Sequence, residues 1–237
     1  MKKKVILFCS LFLIGILVFS IYYLFKDNKL NYVALGDSVA EGMNPYGELG
    51  YSYADFLADN LKKRGKLSSY TKKYAKSGYV TSDVISDIRM NQNLKKDLRE
   101  SDLVTISIGA NDFLRSINTK DIDVNQLLDL KSNITSIMPS IDECIREVRK
   151  YAKEKVMIVG YYNPIPFLFN TSSRELDLLF AYIDDEYQKI ANKHNCDYIS
   201  FYQLFKDNPD FLPNPTDIHP NLEGYQAISK RLLSTID

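Results

Sequence analysis

The chain has 237 residues, 45% of them hydrophobic, and carries 30 basic and 30 acidic side chains. Residues 1–26 hold four lysines and no acidic residue, so the remainder of the chain carries 26 basic and 30 acidic side chains. A domain of about 210 residues can bury a sizeable core. Because it is mildly acidic, it lacks the basic surface that nucleic-acid binding requires, and nucleic acid is excluded as an expected partner.

The first element in chain order is an apolar segment, residues 5–25, which contains no charged residue and follows Lys2, Lys3 and Lys4. It reaches the roughly 20 residues that a helix needs to span a bilayer. Lysines stay on the cytoplasmic side, which places the rest of the chain outside. We therefore expect residues 1–27 to be a membrane anchor and residues 28–237 to be an extracellular domain. The alternative is a cleaved signal peptide and a secreted protein, although no A-x-A-like site follows the segment.

Beyond this segment, short apolar runs alternate with amphipathic stretches. The pattern predicts strands over 31–36, 68–75, 102–109, 155–164 and 196–201, and helices over 51–65, 81–90, 134–155, 173–194 and 221–235. Pro139 marks either the start of the third helix or a kink in it. Apolar strands separated by helices are typical of a parallel sheet covered on both faces. The sequence thus predicts an α/β sandwich with about five strands.

Ligands of such sheets bind beyond the carboxyl ends of the strands, and that rule selects three short segments. They are Gly36-Asp37-Ser38, Gly109-Ala110-Asn111-Asp112 and Asn163-Pro164. Ser38 has two interpretations, a catalytic nucleophile or only a helix cap after a buried strand. Asp37 is expected to brace the loop rather than to take part in the chemistry.

A serine hydroxyl needs a neighbouring base to become a good nucleophile, and the chain contains two histidines. His194 lies at the polar end of a predicted helix and is expected at the surface. His219 precedes Pro220 and follows Asp217, which can orient an imidazole as the acid of a triad does. The structural alternative for His219 is a helix-entry residue in a proline-rich loop.

Acyl transfer also needs hydrogen-bond donors aimed at the developing oxyanion. The side-chain amide of Asn111 and the backbone N–H of Gly78, which precedes a predicted helix, are candidates. A turn asparagine and an ordinary loop glycine are the alternatives.

Cys144 and Cys196 are the cysteines outside the apolar segment, and they lack the spacing of a metal site. We expect two buried thiols, with a single disulfide as the alternative.

Four blocks of the chain, in order, resemble those of the SGNH hydrolases, also called the GDSL esterase/lipase family. They are Gly36-Asp37-Ser38, the stretch 75–78 running into 81–83, Gly109-Ala110-Asn111-Asp112, and Asp217-Ile218-His219-Pro220. The resemblance covers roughly residues 30–235. Any one block alone is a weak signal, but the four together are specific.

The resemblance implies a three-layer α/β/α sandwich of the flavodoxin-like kind that acts as a serine hydrolase on carboxylic esters, with no metal or cofactor. It assigns Ser38 as nucleophile, His219 as base and Asp217 as the orienting acid. It places the oxyanion between the backbone N–H groups of Ser38 and Gly78 and the amide of Asn111.

Two positions depart from the family pattern. Many members carry the acid three residues before the histidine, where this chain has Thr216, so the geometry of Asp217 is in question. Lys73 also replaces an asparagine that often precedes the second-block glycine.

The substrate is predicted less sharply, because specificity lies in loops rather than in the fold. Segments 41–50 and 164–175 are expected to border the cleft, and the apolar run 165–169 is either an acyl-chain wall or core packing. An outward-facing, membrane-tethered enzyme favours lysophospholipids or short-chain acyl esters. Deacetylation of an envelope glycan, acyl transfer to an alcohol, and a non-catalytic tethered domain are the alternatives.

Overall fold

The computed structural model describes residues 29–116, 127–163 and 173–236. Five strands form a single, all-parallel sheet in the order β2-β1-β3-β4-β5. They are β1 Leu30–Gly36, β2 Leu67–Ala75, β3 Leu103–Ser107, β4 Lys155–Val159 and β5 Asp197–Ile199. The predicted α/β architecture with about five parallel strands is confirmed.

The helices cover both faces of this sheet. They are α1 Ser38–Glu41, α2 Tyr53–Lys63, α3 Thr81–Met90, α4 Gln92–Arg99, α5 Ala110–Ser116, α6 Leu127–Tyr151, α7 Ser173–His194, α8 Tyr202–Lys206 and α9 Leu222–Leu233, with a 3₁₀ turn at Pro209–Phe211. One face packs against α2 and α9, and the other against α3, α4, α6 and α7. The result is a three-layer sandwich.

The strand order creates a switch point at the carboxyl end of β1. The chain leaves β1 for β2 on one side and later returns to place β3 on the other, and ligands of open α/β sheets bind where the order reverses in this way. At that end Gly36 pairs with Ala75 of β2 and with Ser107 of β3. The segments that follow β1, β2 and β3 are thereby gathered at the same place.

Several predicted bounds differ from the structure. The strands predicted over 102–109 and 155–164 end at Ser107 and Val159, because a glycine follows closely in each case and the chain turns away. Pro139 lies inside α6 rather than at its start. Its missing N–H leaves the carbonyl of Thr135 free, and both residues are exposed, so water can satisfy that group.

Some predictions fall outside the described residues, and those on the apolar segment 5–25 and on the run 165–169 are among them. Within the described ranges, no helix is both long enough and apolar enough to cross a bilayer. Cys144 and Cys196 are buried free thiols, which confirms the first interpretation of the pair.

Candidate active site

Ser38 is the first residue of the short helix α1, directly after β1. The cap of this helix is Asp37, whose Oδ1 accepts a hydrogen bond from the N–H of Val39 at 3.0 Å. Gly42 ends the helix in the left-handed region at φ +103° and donates its N–H to the carbonyl of Ser38. Since Asp37 supplies the cap, the side chain of Ser38 is not needed for that structural role.

Gly36 lets β1 and β3 approach closely beneath Ser38. Its φ is +122°, and a Cβ at this position would lie 1.9 Å from the carbonyl oxygen of Ser107, so no other residue fits. The N–H of Asp37 donates to that same oxygen at 2.9 Å. The glycine of the first block is therefore required by the backbone.

Ser38, His219 and Asp217 form a continuous hydrogen-bonded chain. The Oγ of Ser38 lies 2.7 Å from Nε2 of His219, and Nδ1 of His219 lies 2.7 Å from Oδ1 of Asp217. A carboxylate accepts only, so Nδ1 carries the proton and Nε2 accepts from the Ser38 hydroxyl. This is the tautomer that a general base beside a serine requires.

A tight turn brings Asp217 back to His219 despite the short spacing. Oδ1 of Asp217 accepts from the backbone N–H of His219 at 2.8 Å as well as from its ring, which is the Asx-turn geometry. The hydroxyl of Thr216 instead lies 2.9 Å from Oδ1 of Asn214. The carboxylate two residues before the histidine thus occupies the orienting position, and Thr216 faces away from it.

Two tyrosines that the sequence did not single out fasten the surroundings of His219: Tyr162 holds its loop, and Tyr225 ties the following helix α9 to Met43. The hydroxyl of Tyr162 donates to the carbonyl of Ile218 at 2.9 Å, and its ring stacks on Phe205 with centroids 4.1 Å apart. Tyr225 donates to the carbonyl of Met43 at 2.6 Å. These contacts join distant segments, so no local sequence pattern could have revealed them.

Asn111 and Gly78 lie together beside this site. The amide of Asn111, in α5, donates to the carbonyl of Tyr79 at 2.9 Å, and Arg115 donates to the carbonyl of Gly78. Gly78 has φ +80° with open space where a Cβ would stand. The turn is tied to β1 because the N–H of Lys76 donates to the carbonyl of Gly36 at 2.9 Å.

Glu41 in α1 also holds this turn. Its Oε2 accepts from the N–H of Ser77 at 2.6 Å and from the Ser77 hydroxyl. The helix that begins with Ser38 is thus linked directly to the segment that carries Gly78. The N–H of Ser38 belongs to the first helical turn, where backbone donors have no intrahelical acceptor, so it is available for a ligand.

Asp112, of the third block, serves the second block rather than the reaction centre. Its carboxylate accepts from the N–H and the hydroxyl of Thr81, the first residue of α3. Asp83 accepts a hydrogen bond from the N–H of Val80, and Val80 is the residue that caps α3. The two blocks are joined by the contact between Asp112 and Thr81, which spans 31 residues of sequence.

Asp37 is buried, and desolvation raises the pKa of its carboxyl to about 7. Hydrogen bonds from the N–H of Val39 and from the hydroxyl of Ser107 oppose the shift. A neutral carboxyl group can therefore exist directly beside Ser38 near neutral pH. Within the described residues, its carboxylate is hydrogen-bonded to Val39 and Ser107 and to neither His219 nor Asp217.

A pocket opens beside Ser38 and extends between the sheet and the helices of one face. It holds about 820 Å³ of space between atoms, including the part open to solvent. Its lining comes from Ser38 and other residues at or after the carboxyl ends of β1, β3 and β4, from Ile218, and from side chains of α5, α6 and α7. Segments 41–50 and 164–175 were expected to border the cleft, and residues 164–172 lie outside the described ranges. The three helices were not among the expected lining.

The other predicted histidine lies elsewhere. His194 ends α7 just before β5 begins, at the edge of the sheet opposite Ser38, and its Nε2 lies 2.8 Å from Oδ1 of Asp142. Its side chain is 11% exposed, so the expectation of an ordinary surface residue is only partly met. In the described part of the chain, no three His, Cys, Asp or Glu side chains are grouped as a metal site requires.

Comparison with known proteins identifies the family of the chain. The profile of the GDSL-like Lipase/Acylhydrolase family matches residues 34–227. The spore germination lipase LipC of Bacillus licheniformis is 25% identical over 210 residues, covering 86% of this chain and 94% of LipC.

Two solved structures share the fold. The lipase Lip_vut3 from a goat rumen metagenome superimposes with a TM-score of 0.64 at 21% identity, covering 86% of this chain and 95% of the other. Axe2, an acetylxylan esterase from Geobacillus stearothermophilus, gives a TM-score of 0.59 at 18% identity, covering 86% and 93%.

The fold and the family match together define a class: the protein is a serine ester hydrolase. The chain belongs to the GDSL-like lipase/acylhydrolase family.

Proposed function

We propose that Ser38, His219 and Asp217 are the catalytic triad of this hydrolase and that it cleaves carboxylic esters through an acyl-enzyme. The observation that carries the proposal is the pair of 2.7 Å hydrogen bonds that link the three side chains in the required order. Ser38 attacks the ester carbonyl while Nε2 of His219 takes its proton. The imidazolium that forms is stabilised by Asp217 and then gives its proton to the leaving alcohol.

The tetrahedral oxyanion is held by three donors in this proposal. They are the backbone N–H groups of Ser38 and Gly78 and the side-chain amide of Asn111. The amide has two N–H bonds, and the contact with Tyr79 uses one of them. The second is available to the substrate. Water then enters, His219 activates it, and the acyl group leaves as a carboxylic acid.

We propose further that the enzyme is anchored by residues 5–25 and faces the outside of the cell. The apolar length of that segment and the lysines before it support this topology. Protease treatment of intact cells should then remove activity, whereas an enzyme on the cytoplasmic side would be protected.

The triad is tested by labelling with a fluorophosphonate probe and mapping the modified residue by mass spectrometry. The label should fall on Ser38, and Ser38→Ala should lose both the label and ester hydrolysis. Ser69→Ala makes the same change at an exposed position of β2 and is the matched control. A folded Ser38→Ala protein that still hydrolysed esters at more than a few per cent of the original rate would overturn the assignment.

A further inference from the structure

The polar side chains that line the pocket beside Ser38 come from the ends of the strands. They are Asp37, Ser38, Ser107, Asn111, Tyr161 and Tyr162, all at or just after the carboxyl ends of β1, β3 and β4. Most of them already have partners. The hydroxyl of Ser107 donates to Asp37, and the hydroxyl of Tyr161 lies 3.0 Å from that of Tyr187. The polar groups therefore mark the reaction centre and its supports.

The part of the pocket that lies between three helices, which we call the helix-lined end, is apolar. Phe113 comes from α5, Ile137 and Met138 from α6, and Phe180 and Ile183 from α7. Met138, Phe180 and Ile183 are each at most 7% exposed. Among the described lining residues, this end presents no charged side chain, hydroxyl or amide. A polar ligand would lose its hydration there without compensation, whereas a hydrocarbon chain would gain.

The order of the two chemical steps decides which part of an ester can use this space. The alcohol must leave before water can reach the acyl-enzyme, while the acyl group stays bonded to Ser38 Oγ. An alcohol held at the helix-lined end would have to be released from it in every turnover before water could act. An acyl chain held there stays bonded to Ser38 through the first step and leaves the other side of Ser38 free for the departing alcohol and for water.

We propose that the space between α5, α6 and α7 is an acyl-chain site, so that the enzyme selects esters by the length of their acyl group. The inference rests on the proposed function, since it requires an acyl-enzyme on Ser38. The substrate class is an ester of a straight acyl chain with several methylenes, and acetyl groups are too short to use the site. The alcohol is selected weakly because it lies on the solvent side.

Two series of esters test this directly, both used at concentrations where the esters stay monomeric. In the first, p-nitrophenyl esters run from acetate to dodecanoate. We expect kcat/KM to rise by up to about fourfold per methylene until the site is full, as burial of a methylene group allows. In the second, butyrate esters carry alcohols of increasing length, and kcat/KM should change little. A flat or falling acyl series, or a rise that follows the alcohol instead, would overturn the proposal.

Filling the site provides a second test. Ile183→Phe in α7 should lower the ratio of kcat/KM for octanoate to that for acetate by about fourfold, since the larger side chain takes the space of roughly one methylene. Leu178→Phe makes a similar enlargement on the exposed side of the same helix, where Leu178 is 64% exposed, and should leave the ratio unchanged.

Enlarging a buried side chain can also destabilise the fold, so Ile137→Phe in α6 is the second variant. Ile137 is only half-buried and tolerates a larger side chain better. Thermal unfolding and fluorophosphonate labelling of Ser38 establish that each variant is folded. If both folded variants keep the original ratio, the acyl-chain site is wrong. If Ser38 is labelled but the octanoate-to-acetate ratio is unchanged, the acyl-chain site is wrong and the triad is still supported. If Ser38→Ala protein is active, the triad itself is wrong.

Discussion

The two faces of the sheet contribute to the reaction centre in opposite ways. On one face α2 and α9 fill the space against the strands, with Tyr32, Tyr53 and Tyr225 at most 1% exposed and their hydroxyls hydrogen-bonded. On the other face α6 and α7 leave room beside Ser38. The filled face leads into the loop that carries His219, and the unfilled face supplies the pocket.

One face of the sheet therefore keeps the base in a fixed position, and the other face determines which esters fit. A base that must stay within hydrogen-bond distance of Ser38 gains from a densely packed support, because each contact restricts the loop. A substrate needs a space that the fold itself leaves open. Substitutions on the filled side should therefore change the rate for all esters alike, and substitutions on the unfilled side should change the preference among esters.

The largest loss of kcat is expected at Asp217, which contacts the base His219. Asp217→Asn should lower kcat by between ~10² and ~10⁴ for every acyl length, because an amide favours the wrong tautomer of His219. Thr216→Ala is the matched control, and its effect should be small because its hydroxyl bonds to Asn214. Steady-state kinetics over the ester series measure both. The opposite ranking would make Thr216 the third member of the triad.

The next effect concerns the rim of the pocket. Asn111→Ala removes one donor to the oxyanion and should lower kcat by ~10²–10³ with little change in KM. The loss should be equal for acetate and octanoate, since the oxyanion is the same in both. A changed KM at constant kcat would make Asn111 a substrate-binding residue. The residues that set the rate and those that bind the substrate would then not lie on separate sides of the sheet.

Asp37 lies at the boundary of the two faces, and its effect should appear in stability. Its folded pKa of about 7 is above the ordinary value of 3.8, so the folded state binds the proton more tightly. The stabilisation from this proton is complete below pH 3.8 and is lost as the pH rises to about 7. Relative to Asp37→Asn, the wild type should lose roughly 4 kcal/mol of unfolding free energy over that interval, given about 1.4 kcal/mol per unit of pKa shift.

Denaturant unfolding at several pH values measures this difference. Asp210→Asn, a change at an exposed carboxylate, separates the effect of burial from that of charge removal. A constant difference between the wild type and Asp37→Asn would show that Asp37 titrates alike in both states.

The smallest effect tests the tyrosine that supports the His219 loop. Tyr162→Phe keeps the ring stacked on Phe205 but leaves the carbonyl of Ile218 without its donor. The loss of one such hydrogen bond, about 1 kcal/mol, should lower kcat by roughly fivefold for all esters. Tyr46→Phe, at an exposed tyrosine, is the control. A loss confined to long acyl chains would show that Tyr162 acts through its contact with the pocket rather than through its support of the loop.

Sequence reasoning identified the strands and the four blocks because apolar runs and strand ends leave local patterns. It missed α4 although Leu94 and Leu98 lie four residues apart, because most of that stretch is polar. It could not decide whether the Asp217 carboxylate contacts the His219 ring, since an Asx turn depends on loop geometry. The lining of the pocket could not be predicted from the sequence. Met138 and Ile183 have the spacing of ordinary core residues, and a cavity leaves no residue pattern of its own.

The direction of β1 has a consequence for where the enzyme finds its substrate. The strand starts at Leu30, and Ser38 lies about 23 Å further along, at the opposite end of the strands. If residues 5–25 span a membrane, as their sequence predicts, residues 26–29 are a tether of at most about 14 Å. Ser38 then lies at the end of the sheet farther from the tether. An enzyme held in this way would reach esters in the space outside, such as dissolved amphiphiles or acylated wall components, more readily than esters within that bilayer.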